Sequence, residues 1–483
     1  MPTSTFETLL AAVSAQRATI GVIGLGYVGL PLAARAGRLG FRVLGFDVSI
    51  TKVETINAGA SDVGDVPNEA IATLREQGRL EATTEMMRLR ECDVIIICVP
   101  TPLNKTRDPD MSYIEHATND IAAVLRPGQL IVLESTTWPG TTEELVLPRL
   151  ARTGMQVGED FFLAFSPERV DPGQVSSKGY TVENTPKVLG GVTENCSALA
   201  AAFYSQITSQ VVPVSSPRVA ELTKLFENVF RNVNIALVNE LALLCDRMGV
   251  SPWEVIDAAA TKPFGFMRFS PGPGWGGHCI PIDPFYLTWK AREYDFSTRF
   301  TELAGEINAQ MPRHVRELVM RALNRQAKAL NGATVLLLGV AYKPDVADYR
   351  ESPVFKVMDL LAHDGATIIT VDPHVAEFVD HDGHAYRTTP LSAELLASAD
   401  CAVIITNHSA FDYDTIVAQS RAVVDTRNAT RDVTEGRERI TVLRPYSIPR
   451  PTATATRPTS SIIWAKAVGT SACSPSHRAC NGS

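Results

Sequence analysis

The feature that most restricts the fold of this chain is a glycine-punctuated turn between a short apolar run and a helix-forming run. ATIGVI is followed by Gly24-Leu25-Gly26-Tyr27-Val28-Gly29, and a helical pattern opens at Leu30. Gly24 permits a tight turn, Gly26 lets backbone approach a pyrophosphate, and Gly29 allows close helix–strand packing, with the helix N-terminus facing the phosphates. A glycine triplet alone is a weak signal. Here the next apolar run ends at Asp47. A carboxylate at that place accepts hydrogen bonds from a ribose 2′-hydroxyl and repels a 2′-phosphate. The pattern predicts a bound dinucleotide, with NAD favoured over NADP.

The surrounding chain fits such a unit. Apolar runs at Thr19–Ile23, Arg42–Phe46, Asp93–Val99, Gln129–Glu134 and Phe161–Phe165 alternate with helical patterns. That alternation implies βαβ units and a parallel sheet. From Pro217 to Met248 no internal glycine or proline interrupts the sequence, and apolar residues recur at Leu222, Leu225, Phe226, Val229, Phe230 and Val233. The period predicts one helix of roughly 30 residues, about 45 Å long. It carries more apolar residues than one buried stripe needs, so a homodimer built on it is expected. After Asn331 the runs ATVLLLGVAY, ATIITVDP, CAVIITNH and AVVDTRN predict a second Rossmann-like sheet, whose second strand ends in Asp372. Its first turn, GVAYKPD, lacks the glycine triplet.

The expected class is therefore α/β: two Rossmann-like domains joined by a long central helix, with a disordered C-terminal tail. The expected divisions are 1–215 for the dinucleotide domain, 216–330 for the central helical region, 331–443 for the second Rossmann-like domain and 444–483 for the tail, which is rich in Ser, Thr, Pro and Ala. A formal charge of −8 without a long basic run argues against nucleic-acid or anionic-membrane partners. Absence of an export signal pattern and of CxxC pairs among the 8 cysteines predicts a cytoplasmic protein with reduced thiols. No metal is expected.

The run PGPGWGGHCIPIDPFY predicts an irregular loop bringing backbone close to a ligand. Cys279 within it reads either as a buried small hydrophobe or as a nucleophile, with Asp283 four residues on.

With these motifs together, the sequence resembles the UDP-glucose/GDP-mannose dehydrogenase superfamily. GVIGLGYVGLPLA, CVPTP, ESTTWPGTT, SPERVDPG, ELTKLFENVFRNVNIALVNE, GGHCIPIDP, GVAYKPDVADYRESP and VVDTRN occur in the family's order, from about Ile20 to Thr430. The resemblance implies a four-electron oxidation of a sugar C6 alcohol to a carboxylate, consuming two NAD⁺, with Cys279 carrying a thiohemiacetal and then a thioester. It implies Lys224 and Asn228 at the reacting centre, Asp283 assisting proton transfer to or from water, Glu168 orienting substrate or acting in thioester hydrolysis, and Thr136 holding a water. It places Tyr27, Val28, Pro100, Thr101, Thr136 and Arg350 at the cofactor, beside the glycines and Asp47. It places Glu168, Arg169, Lys224, Asn228, Gly276, Lys343 and Arg427 at a UDP-sugar, and Arg268 at a neighbouring subunit's site.

The cysteine loop also separates branches. It resembles that of enzymes acting on UDP-N-acetylhexosamines, above all UDP-N-acetylglucosamine in surface polysaccharide precursor synthesis. His278 and Ile282 stand where UDP-glucose enzymes usually carry serine and lysine. UDP-N-acetylmannosamine is the near alternative, UDP-glucose a further one. Two rivals differ in kind. A catalytically idle nucleotide-sugar-binding regulator would not need the full catalytic set, and a one-step alcohol dehydrogenase would not need Cys279.

Overall fold

A computed structural model describes residues 4–104, 108–170, 179–277 and 280–443. Eight strands form the first sheet: β1 (Thr19–Ile23), β2 (Arg42–Phe46), β3 (Leu80–Thr83), β4 (Val94–Ile97), β5 (Leu130–Leu133), β6 (Phe162–Phe165), β7 (Lys187–Gly191) and β8 (Val211–Pro213). Their order is β3-β2-β1-β4-β5-β6-β7-β8. Pairing is parallel throughout except between β6 and β7. The chain winds outward from β1 to β3, then returns to lay β4 on the other side of β1. A crevice opens at such a reversal, beyond the carboxyl ends of the strands, and ligands bind there. β4 (VIII) and β5 (LIVL) are wholly buried, as strands covered on both faces must be. Alternate residues supply two cores: Val94 and Ile96 pack on one face, Ile95 and Ile97 on the other.

The second sheet contains β9 (Thr334–Leu338), β10 (Thr367–Val371), β13 (Cys401–Ile404), β14 (Val423–Asp425) and β15 (Ile440–Val442), in the order β10-β9-β13-β14-β15. A hairpin of β11 (Glu377–Val379) and β12 (Ala385–Arg387) stands apart. Both Rossmann-like sheets expected from the sequence are present. Several strands, β3, β8 and β15 among them, are not among the apolar runs that the sequence offers as strands. Each is short: LEAT carries a charge, and VVP is largely exposed at the sheet edge. The tail of 444–483 lies outside the described residues. Among the described residues no helix is long and apolar enough to cross a membrane, and five cysteines are free.

The central helix runs Pro217–Met248, 32 residues, about 48 Å at 1.5 Å per residue. The Ser216 side chain accepts from the Val219 N–H at its start, proline occupies the first turn, and Gly249 at φ 80° ends it in the left-handed region. Glu221 fastens it to the first sheet. That buried carboxylate accepts the N–H of Gly140, and the N–H (2.9 Å) and hydroxyl (2.7 Å) of Thr142. Burial pushes its carboxyl up to about 7, with those donors opposing. On another face, Asn239 donates to Asn308 (2.7 Å) on the helix Arg299–Asn324, and Asn308 donates to the Asn232 side chain (3.1 Å). Asn239 also accepts the Gly272 N–H at 3.0 Å, which ties the start of the cysteine loop to the central helix.

Both sheets end their second strand in an aspartate that holds the first turn. Asp372 is saturated: one oxygen accepts the N–H of Val340 (2.7 Å) and Ala341 (2.9 Å) and bonds His408 Nε2 (3.1 Å), the other accepts the N–H of His374 (2.8 Å) and Val375 (3.0 Å). Burial opposes its charge, but His408 and the backbone donors prevail and hold its carboxyl down at about 2. The folded value lies below the unfolded one, so this stabilisation is fully present above about pH 4 and is lost as pH falls through about 2. Asp372→Asn should therefore lower the stability of the second sheet by about 2 kcal/mol at pH 7. The deficit should shrink as pH falls below 4, in denaturant titrations of wild type and variant across pH.

Candidate active site

The glycine turn fits a dinucleotide on steric grounds. Gly24 sits at φ 91°, and a Cβ there would lie 2.5 Å from the Cys98 carbonyl oxygen. A Cβ at Gly29 would lie 1.9 Å from the Gly24 carbonyl oxygen. Gly26, by contrast, has nothing within 4 Å of that position. Two glycines thus bring the turn, helix and β4 together, and the third leaves open ground where a pyrophosphate would lie. Asp47 accepts only the N–H of Leu25 (3.0 Å) and of Ser49 (2.9 Å), one per oxygen. A carboxylate has about four acceptor positions, so capacity remains for a ribose diol.

A cleft of about 210 Å³ opens at the reversal between β1 and β4. Gly26, Tyr27 and Val28 line it from the glycine turn, Pro100 and Thr101 from the segment after β4, and Thr136 from that after β5. Glu168, Lys224, Gly276 and Arg350 complete the walls. The Arg350 guanidinium lies 4.4 Å from the Tyr27 ring centroid and is held by Asp348 at 2.6 Å. This contact joins the second sheet's first turn to the glycine turn. The cysteine loop is clamped beside it. A Cβ on Gly276 would lie 2.8 Å from Tyr342 Cβ, Gly277 adopts φ 89°, and the Gly277 N–H donates to the Arg350 carbonyl at 3.1 Å. Cys279 itself lies outside the described residues; Gly277 and Ile280, on either side of it, both line the cleft.

Lys224 and Asn228 are one turn apart on the central helix, and both are buried. Lys224 Nζ donates to the Glu168 carbonyl at 2.7 Å, and Asn228 Nδ2 donates to Asp283 Oδ2 at 2.5 Å. Burial pushes the Asp283 carboxyl up to about 6, while Lys224, Asn228 and Arg231 pull it down. Arg231 lines the same cleft. The sequence reading missed it, although it continues the Lys224–Asn228 face by three residues.

Behind Glu168 stands a second group that was not anticipated. Lys187 is buried between Glu168 (3.1 Å) and Glu134 (2.9 Å), and the Tyr204 hydroxyl donates to Glu134. Burial opposes the Glu168 charge, but Lys187 and the N–H groups of Val170 and Arg169 hold its carboxyl below the ordinary value.

Other expected residues lie elsewhere. Arg169 is paired with Glu227 (2.6 Å) and the Pro186 carbonyl (2.9 Å), and is not among the cleft's walls. Arg268 and Arg427 line a second cavity of about 570 Å³ beside the second sheet, with Trp253, Tyr413, Asn428 and Arg431. Arg268 is paired with Asp257 of its own chain at 2.7 Å. Arg427 is half-buried, and the loss of water around its guanidinium pulls its pKa down to about 10. The Lys343 ammonium lies 5.2 Å from the Tyr342 ring centroid. Asp345, His374 and His408 also converge within 4.8 Å. His408 is a poor metal ligand, however, because its Nδ1 accepts the Asp345 N–H (3.0 Å) and its Nε2 faces Asp372 (3.1 Å).

Comparison with known proteins places this geometry. Residues 18–208 match the NAD binding domain of the UDP-glucose/GDP-mannose dehydrogenase family, 218–310 its central domain and 336–432 its UDP binding domain. The chain is 35% identical over 394 residues to a UDP-N-acetyl-D-glucosamine 6-dehydrogenase of Pseudomonas aeruginosa, covering 81% of this chain and 91% of that protein. It is 36% identical over 422 residues to a UDP-N-acetyl-D-mannosamine dehydrogenase of Pyrococcus horikoshii, covering 86% and 96%. Among solved structures, a UDP-D-ManNAc dehydrogenase from Pyrococcus horikoshii superposes with a TM-score of 0.79 at 32% identity, covering 88% of this chain and 98% of that one.

The chain belongs to the UDP-glucose/GDP-mannose dehydrogenase family. It is an NAD-dependent nucleotide-sugar 6-dehydrogenase.

The clamp on the cysteine loop gives a prediction. Gly276→Ala forces Tyr342 or the Glu351 carbonyl aside, a strain of about 1–3 kcal/mol. It should lower kcat at least about tenfold, an effect of about 1.4 kcal/mol, while the melting temperature of the remote sheets barely moves. Steady-state NADH formation alongside calorimetry would check both.

Proposed function

We propose that the chain oxidises the C6 hydroxyl of a UDP-N-acetylhexosamine, foremost UDP-N-acetylglucosamine, to the uronic acid through a covalent intermediate on Cys279. The observation that carries the reading is the convergence of Lys224, Asn228, Asp283 and Glu168 beside the glycine turn. An idle binding protein would have no use for a buried lysine and a raised carboxyl at that place. Relatives named for UDP-N-acetylglucosamine and UDP-N-acetylmannosamine stand at almost the same identity, so the C2 epimer is the second reading. NADH formation against a panel of UDP-N-acetylglucosamine, UDP-N-acetylmannosamine and UDP-glucose tests it. A kcat/KM highest for UDP-glucose would overturn the acetamido assignment.

With NAD⁺ held by the glycine turn and Asp47, the cofactor would supply the hydride acceptor for both oxidations. In this scheme the chain's own groups do the rest. Lys224 and Asn228 stabilise negative charge developing on the C6 oxygen. The Cys279 thiolate adds to the aldehyde carbon, and after the second oxidation it is the leaving group of a thioester. Asp283 removes a proton from the hydrolytic water, Glu168 acts as a carboxylate that orients sugar and water, and Thr136 holds that water. Asp47 takes the adenosine ribose and Arg350 stands beside the cofactor. Arg427, Lys343 and Arg268 serve the UDP group, and Arg169 braces Glu227 behind the sugar.

Cys279→Ser should cut full turnover at least about a thousandfold, about 4 kcal/mol of barrier, with substrate binding retained. Asp283→Asn should slow thioester hydrolysis by about a hundredfold or more, so that a mass adduct accumulates on Cys279. A base must be ionised, so wild-type hydrolysis should rise through about pH 6 and level off above it. Single-turnover kinetics across pH would show that limb, and its absence in Asp283→Asn.

The outer face of the central helix supports a homodimer. Leu222, Phe226, Phe230, Leu237, Leu244 and Met248 are all exposed along it, Phe226 at 65%. A stripe of that length is an association surface. Sedimentation should give a dimer at micromolar concentration, and Phe226→Glu with Phe230→Glu a monomer.

A further inference from the structure

Lys187 takes no part in the catalytic scheme, yet it is a cation buried at the back of the cleft. Three elements hold it: the start of β7, which carries it; the residue after β5, Glu134; and the loop after β6, Glu168. Tyr204, on the helix Glu194–Ile207, donates to the same Glu134 oxygen that faces Lys187. Burying an ammonium with two carboxylates is costly unless each charge is compensated, so the arrangement needs a function.

The two carboxylates are not equivalent. Glu168 has both oxygens engaged: Oε1 accepts the N–H groups of Arg169 (2.7 Å) and Val170 (2.6 Å), and Oε2 meets Lys187 at 3.1 Å. Glu134 Oε2 is buried and has no hydrogen-bond partner among the described residues. A proton arriving at the pair is therefore better accommodated on Glu134, and burial accordingly pushes Glu134 up while Glu168 is held down. The turn locked by Glu168 Oε1 also fixes its own carbonyl, which receives the Lys224 ammonium. The other groups facing the cluster are Cys98 after β4, Lys224 on the central helix, and the Arg169–Glu227 pair on its flank.

We propose that Lys187 is a positioning residue of the active site: backed by Glu134 and Tyr204, it fixes the Glu168 side chain as a carboxylate and, through the turn Glu168 closes, aims the carbonyl that holds Lys224. The inference rests on the reading of Glu168 as an ionised group during turnover.

The test is the pH–rate profile of the full-length enzyme with NAD⁺ and UDP-N-acetylglucosamine. Without Lys187, Glu134 takes the first proton, and Glu168, stripped of its ammonium partner in a buried site, takes up its own proton at higher pH than in the wild type. Lys187→Met should lower kcat at pH 7 at least about tenfold, with KM changed far less. Its acid limb, set by Asp283 near pH 6 in the wild type, should pass to Glu168 and move up by about two pH units, so that the loss shrinks as pH rises. Lys187→Arg keeps the charge and should keep the wild-type limb. Glu134→Gln leaves Lys187 to Glu168 alone, so its limb should stay in place or move down; that variant carries the test should Lys187→Met fail to fold. A pH-independent loss in Lys187→Met, or an upward shift in Glu134→Gln, would overturn the inference. Those results require an active wild-type enzyme. A wild type that forms no NADH with any UDP-sugar would instead sink the proposed function.

Discussion

The buried carboxylate of Glu221 sets the register from which the rest of the cleft is built. It lies in the second turn of the central helix and captures three donors from the turn after β5. An ionised or even neutral carboxyl in that place would cost several kcal/mol without those partners. The helix therefore cannot slide or rotate against the first sheet without stranding it. Fixing Glu221 also fixes the next three turns of the helix. Lys224 reaches the Glu168 carbonyl, Asn228 reaches Asp283, and Arg231 reaches the cleft wall. Further along, the Asn232–Asn308–Asn239 ladder uses the same logic to seat Gly272 and the loop that leads to Cys279.

Two sheets of similar winding carry the same device and put it to different ends. Asp47 and Asp372 each close the first turn of their sheet by accepting backbone N–H groups. Asp47 accepts two donors and keeps acceptor capacity. Asp372 meets five, His408 included, and is spent on structure. The glycine triplet exists only in the first case, where backbone must leave room for a ligand. In the second, the turn is filled by Tyr342, which instead presses on Gly276 and Gly277.

Much of this was legible in the sequence because it is local. The glycine turn, Asp47, the long helix and the Lys224–Asn228 spacing each arise from the chemistry of a few neighbouring residues. The hidden parts depend on distant partners. Lys187 carries no signal of its own in the sequence; β5, β6 and a helix bring Glu134, Glu168 and Tyr204 around it. Arg169 is placed at the substrate by the family resemblance; only the fold sets Glu227 opposite it. The strands β3, β8 and β15 are three or four residues long, too short to stand out as apolar runs, and only their pairing with a neighbouring strand marks them.

The Tyr27–Arg350 contact has a consequence for traffic. The Arg350 guanidinium, in the loop after β9, meets the Tyr27 ring of the glycine turn. Such a pair is worth about 0.5–1 kcal/mol where water can reach it, close to thermal energy at room temperature. Parting it strands nothing, since Asp348 keeps the guanidinium paired. An enzyme that oxidises one sugar twice must discharge a reduced nicotinamide and admit a fresh one while the sugar stays put. Under the proposed function, a latch of thermal strength on the cofactor side of the cleft, with the sugar held among buried charges, would let one ligand turn over faster than the other.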